Sequence, residues 1–254
     1  MLAGVNMKII FQVDELDILK VQSFYESQKD SAFVRNRIKR NVMGETETYT
    51  RELFWQAMIC CLITTQQRSG PHSAVTKFIC TDPFPLPYRQ DINAGILQKL
   101  VTDEISKYGM RRGNTIGEEV KTNHHWLEKG GWQVVDEMIE KLQKSRNKET
   151  ERKSATIIID NLKGFGPKQS RNLLQSLGLT KFEIPVDSRI IKWLNEFGFP
   201  LKLTSAALAD REYFNLVLDG FQKICESCDI YPCVLDAAIF ASFDEEWPED
   251  KLIW

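Results

Sequence analysis

The sequence has no long apolar run, no large excess of one charge and little histidine. No stretch reaches about 18 consecutive apolar residues, so we expect no membrane span. The formal net charge is −2, which excludes a protein that coats nucleic acid through a uniformly basic surface; any such contact must be local. The amino-terminal residues show no signal-peptide pattern. We therefore expect an intracellular protein, in a cytoplasm or nucleoid, or in a nucleus.

Residues that bind metals are also scarce. The chain has three histidines, and the adjacent His124 and His125 would point about 100° apart on a helix, so they do not predict a shared metal ion. The six cysteines lack a secretory context and are expected to be free thiols. Cys225, Cys228 and Cys233 have the spacing C-x2-C-x4-C, which an iron–sulfur or zinc site could use. No fourth ligand lies nearby, so we expect no metal site, and the roles of these cysteines stay open.

Apolar residues recur at helical spacing along most of the chain, which predicts an all-α protein of roughly ten helices. The segment 52–65 is apolar nearly all round and predicts a buried helix. Residues 1–12 suggest a short strand-like arm, and the polar segment 145–153 suggests an exposed connector. The basic run RNRIKR at residues 35–40 favours a solvated helix face over a phosphate contact.

The segment LKGFGPKQSRNLLQSLGLTKFEIPVDSRI, residues 162–190, joins two helical patterns through a short turn. Gly164 and Gly166 let the backbone turn sharply and approach another molecule closely. Pro167 suits the first position of the second helix because it lacks an N–H, and Gly178 suits the carboxyl-terminal cap of that helix. The amides of the turn, with the helix amino terminus, could bind a phosphate. A tight helix–helix corner without any ligand explains the same glycines equally well.

Lys168 and Asp187 are the side chains of this segment that suggest chemistry. Lys168 falls at the start of the second helix, where the helix dipole disfavours a cation, and a neutral amine is a nucleophile suited to a sugar carbon or an aldehyde. Asp187 stands ahead of an apolar helix and is a plausible N-cap. From local sequence alone, a surface lysine and a helix cap are the simpler interpretation.

The order of these features resembles the helix-hairpin-helix Gly/Pro-Asp superfamily of DNA base-excision glycosylases. A lysine at the hairpin is similar to the mark of its bifunctional members, which remove a base and cut the resulting abasic strand. LFWQAMICCLITTQQRS (53–69) looks like the family helix that ends in a residue filling the space of an extruded base. This likeness implies that role for Gln66, with Arg68 beside it. The segment 105–120 looks like the stretch that follows in the family, and the resemblance covers residues 50–195 well and the rest loosely.

Two segments are similar to the 8-oxoguanine DNA glycosylases: PVDSRI (185–190) and VLDAAIFASF (234–243). The likeness implies that Asp236 contacts the purine and that Phe240, one helical turn later, stacks on it. The alternatives are a helix cap for Asp236 and a core position for Phe240. The chain is too short for the amino-terminal β domain of the eukaryotic enzyme, so it resembles compact microbial forms.

Other features bear on the sub-family. The four-cysteine loop of endonuclease-III-like members is broken here, with Leu218 at its first position and Val234 at its last. An iron–sulfur cluster is therefore not implied. Trp193 and Trp254 are weaker candidates for the base pocket, because a tryptophan more often lies in a core or a lobe contact.

The resemblance implies two helical lobes with a cleft between them. The central lobe, residues 49–188, would contain the helix-hairpin-helix motif, and residues 1–48 and 189–254 would form the second lobe. The implied protein is a monomeric bifunctional DNA glycosylase and abasic-site lyase. It would excise an oxidised purine, 8-oxoguanine, from damaged double-stranded DNA in base excision repair.

The residue roles follow from the same resemblance. Lys168 would form a Schiff base that leads to β-elimination, and Asp187 would stabilise positive charge on the sugar. The amides of Gly164, Gly166 and Lys168 would bind a backbone phosphate. No cofactor is required, although a structural monovalent cation at the hairpin would be compatible with the family.

Three alternatives stay open at this point. The same fold could act on an oxidised pyrimidine. It could be a monofunctional glycosylase, in which Lys168 is only a phosphate contact. The chain could also be a catalytically inactive DNA-binding protein that keeps the hairpin, although the presence of both Lys168 and Asp187 argues against it.

Overall fold

The computed structural model describes residues 9–243 and 247. Within this part of the chain the regular structure is entirely helical, as the sequence predicts. The α-helices are α1 (Glu15–Gln28), α2 (Ala32–Arg37), α3 (Arg51–Ile63), α4 (Ala74–Ile79), α5 (Ala94–Lys107), α6 (Gly113–Trp126), α7 (Trp132–Lys144), α8 (Lys148–Asn161), α9 (Pro167–Ser176), α10 (Ser188–Phe197), α11 (Arg211–Ser227) and α12 (Pro232–Phe243). Short π-helical turns, Ile38–Val42 and Leu127–Gly131, follow α2 and α6.

Short polar side chains begin most of these helices. Each accepts a hydrogen bond from a backbone N–H of the first turn, which satisfies a donor that the helix itself leaves unpaired. The N-caps of this kind are Asp14, Ser31, Thr50, Ser73, Asn93, Asn147, Asp187 and Asp210. These signals are local in sequence, which is why the helical pattern could be predicted from the sequence.

Two separate clusters of buried apolar side chains define the two lobes. The first cluster is formed by α3 to α9 and extends from Phe54 to Leu179. The second is formed by α1, α2 and α10 to α12, and its members lie between Val21 and Val34 and from Ile184 onward. Both ends of the described chain thus contribute side chains to the second cluster. The exact boundaries at residues 49 and 188 stay a prediction.

A polar network around one buried ion pair joins the two lobes beside the hairpin. Arg171 of α9 contacts Glu183 at 2.8 Å, and both side chains are almost fully buried. The same Arg171 donates a 2.8 Å hydrogen bond to Asn215 of α11, while Arg152 of α8 bridges Glu183 and Asp219. Because breaking a buried pair leaves an uncompensated charge, these contacts fix how the lobes face each other.

The predicted exposed connector at residues 145–153 is wrong in its second half. Helix α8 begins at Lys148, and Glu151 is completely buried. The Glu151 carboxylate accepts the backbone N–H groups of residues 181–183 at 2.8–3.0 Å. Burial raises the pKa of Glu151 to about 7. The partner segment lies too far along the chain for the local polar pattern to reveal this contact.

The strand-like arm is also wrong where it can be assessed. Residues 9–12 form no regular structure, and residues 1–8 lie outside the described residues. Among the described helices, none is both long and apolar enough to cross a membrane.

Candidate active site

The turn between α8 and α9 has the hairpin geometry that the glycines predicted. Gly164 has φ +88°, a conformation that residues with a Cβ rarely adopt. Pro167 is the first residue of α9, with Gly166 as its N-cap. After α9, Gly178 has φ +72°, and the amides of Gly178 and the next residue bond back to the last turn at 3.0 Å. The predicted cap at Gly178 is therefore confirmed.

Two side chains of the central lobe hold this hairpin in place. Asn123 of α6 accepts from the backbone N–H of Lys163 at 2.7 Å and donates to its carbonyl at 3.0 Å. Gln169 of α9 donates to the carbonyl of Cys61 at 2.8 Å and to the Thr65 hydroxyl at 2.7 Å. The hairpin is thereby fixed relative to the end of α3, where the loop containing Gln66 begins.

A cleft between the lobes brings together four of the residues singled out from the sequence. Its empty volume is about 620 Å³ when the part open to solvent is included. The predicted residues in its wall are Lys168, Asp187, Asp236 and Phe240. They come from α9, from the N-cap of α10 and from α12, so the wall combines both lobes.

Lys168 and Asp187 line the cleft from the amino-terminal ends of two different helices, α9 and α10. Lys168 is the second residue of α9 and is half-buried. Asp187 accepts the backbone N–H of Arg189 at 2.8 Å and of Ile190 at 3.2 Å, which confirms it as the N-cap of α10.

The partner of the Asp187 carboxylate is Arg189 rather than Lys168. Nη1 of Arg189 lies 3.1 Å from Oδ2 of Asp187. No ion pair between Lys168 and Asp187 occurs in the described part of the chain. The amine of Lys168 is therefore not tied to this carboxylate.

Asp236 is buried at the back of the cleft between two polar side chains. Nη1 of Arg37 lies 2.7 Å from Oδ2 of Asp236, and Nε2 of Gln175 donates to the same oxygen at 2.6 Å. Burial raises the pKa of Asp236 to about 6, against the opposing effect of Arg37. Asp236 lies inside α12, which begins at Pro232, so the alternative of a helix cap is wrong.

Phe240 lies one turn beyond Asp236 and is only half-buried. Its ring centroid is 4.7 Å from that of Phe33. The guanidinium carbon of Arg189 lies 4.2 Å from the same centroid. Phe240 thus contacts the second core through Phe33 and also lines the cleft, so it is not a purely core residue.

The basic run at residues 35–40 is solvated only in part. Arg35 and Lys39 are exposed, as expected for a solvated face, whereas Arg37 is buried against Asp236 and Arg40 also lines the cleft. Burial lowers the pKa of Arg40 to about 9. The sequence could not reveal this because the partner of Arg37 lies 199 residues away.

Gln66 and Arg68 lie at the edge of the site and not in its wall. Both are exposed in the loop after α3, and Gln66 has φ +59°. Arg111 braces this loop by donating to the carbonyl of Gln66 at 2.9 Å and, through its backbone N–H, to Gln67 at 2.8 Å. The role of Gln66 and Arg68 in filling a DNA gap stays a prediction. Thr64 and Ser69, on either side of them in the chain, line the cleft.

Trp193, one of the two tryptophan candidates, does not line the described cleft. Trp193 stacks on Phe197 at 5.1 Å and packs against Phe24 at 5.5 Å within the second core, so its placement near the pocket is wrong. Trp254 lies outside the described residues.

The three carboxyl-terminal cysteines are buried free thiols. Burial raises the pKa of each thiol, and raises that of Cys233 to about 12. Residues 9–243 and 247 contain no group of three or more His, Cys, Asp or Glu side chains placed to hold a metal ion.

The polar residues of the cleft that sequence reasoning missed include Arg37, Asn172, Gln175 and Arg189. Asn172 and Gln175 follow Lys168 at helical spacing on one face of α9, so the helix period alone could have identified them. Arg189 stands two positions after the N-cap residue Asp187. For Arg37, no local signal exists.

Comparisons with known proteins give the fold. No family model matches this sequence, and no curated protein matches it. The fold is similar to a crystal structure from Methanocaldococcus jannaschii, an 8-oxoguanine glycosylase/lyase in complex with 15mer DNA containing 8-oxoguanine. That match has a TM-score of 0.67 and 14% identity, and covers 91% of this chain and 99% of that chain.

A second crystal structure from the same organism, of an 8-oxoguanine DNA glycosylase, has a TM-score of 0.63 and 15% identity, and covers 92% of this chain and 97% of that chain. At this identity the likeness shows a shared compact, all-helical fold, and that prediction is confirmed. Function has to be argued from the site, because one fold supports many activities.

Proposed function

We propose that the protein is a bifunctional DNA glycosylase and abasic-site lyase that removes 8-oxoguanine from duplex DNA. The observation that carries this proposal is the convergence of four side chains on one cleft. An amine and a carboxylate lie at two helix starts, and a buried carboxylate and an aromatic ring come from the opposite lobe. The likeness to solved glycosylase structures supports the same conclusion.

The reaction needs the target nucleotide outside the stack, since its glycosidic bond cannot be reached within the duplex. Gln66, with Arg68 beside it, would fill the gap that the nucleotide leaves. Nζ of Lys168 would then attack C1′, and the glycosidic bond would break as the base departs with a proton. The C1′–O4′ bond would then break, with O4′ taking up a proton, which opens the sugar ring and gives the Schiff base. The Schiff base would lose a C2′ proton, and the bond from C3′ to its oxygen would break by β-elimination.

Lys168 is placed to reach a sugar held in the cleft, because its side chain lines the cleft wall at the start of α9. The Asp187 carboxylate forms its ion pair with Arg189 and not with Lys168. This carboxylate lies in the same cleft and would stabilise positive charge as it develops on the sugar.

The back of the cleft suits the polar edge of a guanine-type base. The N1–H and N2–H groups of such a base are donors, and an ionised Asp236 is an acceptor. Phe240 offers a ring face for stacking beside it. An ordinary pyrimidine is smaller and offers less area to this face, so the cleft favours the purine over the oxidised pyrimidine.

The hairpin would contact the DNA backbone. Substitutions at two of its glycines distinguish an effect on DNA affinity from an effect on the stability of the fold. A Cβ added at Gly166 meets nothing within 4 Å, whereas one added at Gly164 would lie 2.6 Å from Leu62. Gly166→Ala should leave stability within about 0.5 kcal/mol. It should weaken DNA binding about 10-fold or more, because the methyl group blocks a phosphate from the amides.

Gly164→Ala is the matched variant and should instead lose about 1–3 kcal/mol of stability through overpacking. Thermal unfolding and binding to a labelled duplex measure the two effects. Unchanged DNA affinity in Gly166→Ala would place the phosphate contact elsewhere.

Asp236 predicts a pH dependence for lesion recognition. Its pKa is raised to about 6, so the carboxyl is neutral below that pH and ionised above it. Arg37, Asp187 and Arg189 are the charged groups that act on it. Affinity for an 8-oxoguanine duplex relative to an abasic duplex, which places no base at Asp236, should therefore fall as the pH drops through about 6.

This pH dependence is best measured as a ratio of affinities in a Lys168→Gln background, where no turnover occurs. Adding Asp236→Asn should make the ratio independent of pH between about 5 and 8. A ratio that keeps the same pH dependence in the double variant would assign the titration to another group.

A panel of duplexes tests the proposed substrate directly. Base release should be fastest from a duplex with 8-oxoguanine, slower from one with thymine glycol, and absent from undamaged DNA. If thymine glycol were released fastest, the substrate would be an oxidised pyrimidine rather than an oxidised purine. Base release without strand cleavage would identify a monofunctional enzyme, and binding without any release would leave a hairpin scaffold.

The monovalent cation compatible with the family is not needed for any of these steps. Three hairpin carbonyls already accept protein hydrogen bonds: Leu162 from Phe165, Lys163 from Asn123 and Gly166 from Ser170. The predicted monomer likewise stays a prediction, and gel filtration of the protein with and without DNA measures it.

A further inference from the structure

Arg189 links the two halves of the proposed site. Its guanidinium group contacts the Asp187 carboxylate at 3.1 Å and lies over the Phe240 ring at 4.2 Å from the centroid. All three residues line the same cleft. One side chain thus occupies both the carboxylate proposed to stabilise the sugar and the ring proposed to receive the base.

The position of Arg189 on Phe240 conflicts with a stacked base. Phe33 packs on Phe240 at 4.7 Å but does not line the cleft. Arg189 does line it, so the guanidinium covers the side of the ring that the cleft exposes. A base stacked at van der Waals distance needs the same space, and the two cannot occupy it together.

We propose that an entering base displaces Arg189 from Phe240 and thereby releases the Asp187 carboxylate from its ion pair. Arg189 is on this account a positioning residue that couples base entry to the availability of Asp187. The inference rests on the proposed function and adds a residue and a sequence of events to it. No covalent bond is made or broken in this step; the cation–π contact with Phe240 and the ion pair with Asp187 are exchanged for base stacking.

The coupling distinguishes two substrates of the same site. A lesion duplex supplies a base that displaces Arg189, whereas an abasic duplex supplies none. With an abasic duplex Arg189 therefore stays on Asp187 and reduces the negative charge that acts on the sugar. In the wild-type protein, Schiff-base formation on the lesion duplex therefore has the released Asp187 carboxylate available, whereas Schiff-base formation on the abasic duplex does not.

Helix α10 offers a matched control for testing this coupling. Lys192 lies one turn beyond Arg189, with its Nζ 4.9 Å from the centroid of the Phe243 ring. It is an exposed cation over an aromatic ring of α12, but it is not part of the cleft wall. Arg189→Met and Lys192→Met each remove one positive charge and one cation–π contact from the same pair of helices.

The experiment measures single-turnover adduct formation at saturating protein, with an 8-oxoguanine duplex and with an abasic duplex. Arg189→Met should raise the abasic rate and leave the lesion rate nearly unchanged, so that the ratio of lesion rate to abasic rate falls about five-fold or more. Lys192→Met should keep the wild-type ratio. Arg189→Lys retains the charge without the planar guanidinium and should give an intermediate ratio.

The outcomes separate this inference from the proposed function. An active wild-type protein whose ratio is the same in Arg189→Met would overturn the coupling alone. Equal losses of both rates in Arg189→Met would make Arg189 a DNA contact or a structural residue, which also overturns it. A wild-type protein that forms no adduct with either duplex would overturn both the coupling and the proposed lyase activity. Thermal unfolding of each variant checks that the fold is retained.

Discussion

Replacing Lys168 with Gln should abolish strand cleavage at both 8-oxoguanine and abasic sites. The amide of Gln is not nucleophilic, so no covalent bond to C1′ can form and β-elimination has no Schiff base to start from. We expect the single-turnover cleavage rate to fall by at least about 10³-fold, as for the loss of other enzymatic nucleophiles. Gel analysis of labelled duplexes measures this rate directly.

Lys163 provides the control for this variant. It lies in the same hairpin, is exposed, and is held only through its backbone by Asn123. Lys163→Gln removes the same charge near the DNA and should keep its cleavage activity. If Lys168→Gln retained cleavage, or if both variants lost it equally, a phosphate contact would replace the nucleophile as the role of Lys168.

Replacing Asp187 with Asn should separate the two roles of this residue. Asn caps helices about as well as Asp, so the hydrogen bonds to the amides of Arg189 and Ile190 can persist. The negative charge is lost, and positive charge on the sugar is then stabilised less. We expect base release to fall by about 10²–10³-fold, with a smaller fall in cleavage of a preformed abasic site.

Stability measurements complete the test of Asp187. The unfolding free energy of Asp187→Asn should stay close to wild type, whereas Asp187→Ala should lose about 0.5–2 kcal/mol because it also removes the cap. Base release at the wild-type rate in Asp187→Asn would reduce Asp187 to a helix cap, the simpler interpretation of its sequence context.

Much of the hairpin could be predicted from the sequence because its determinants are local. Gly164 and Gly178 adopt positive φ, Pro167 begins α9, and Asp187 caps α10. Each of these depends on neighbours within one or two turns of the chain. The helix period likewise placed Asp236 and Phe240 on one face of α12, and the structure brings that face to the cleft.

The residues that sequence reasoning missed depend on distant partners. Arg37 belongs to a basic run, and only the fold brings it to Asp236. Glu151 stands in a polar segment, yet it binds the amides of residues 181–183 from inside the protein. Composition predicts exposure for such residues, and a buried charge is identified only once its partner is known.

The central claim is that Lys168 forms a covalent bond with the sugar of a damaged nucleotide. Borohydride reduction during the reaction with an 8-oxoguanine duplex, followed by proteolysis and mass spectrometry, identifies the modified residue. The account predicts a reduced adduct whose mass shift maps to Lys168. An adduct on another lysine such as Lys163, or base release with no adduct at all, would contradict it.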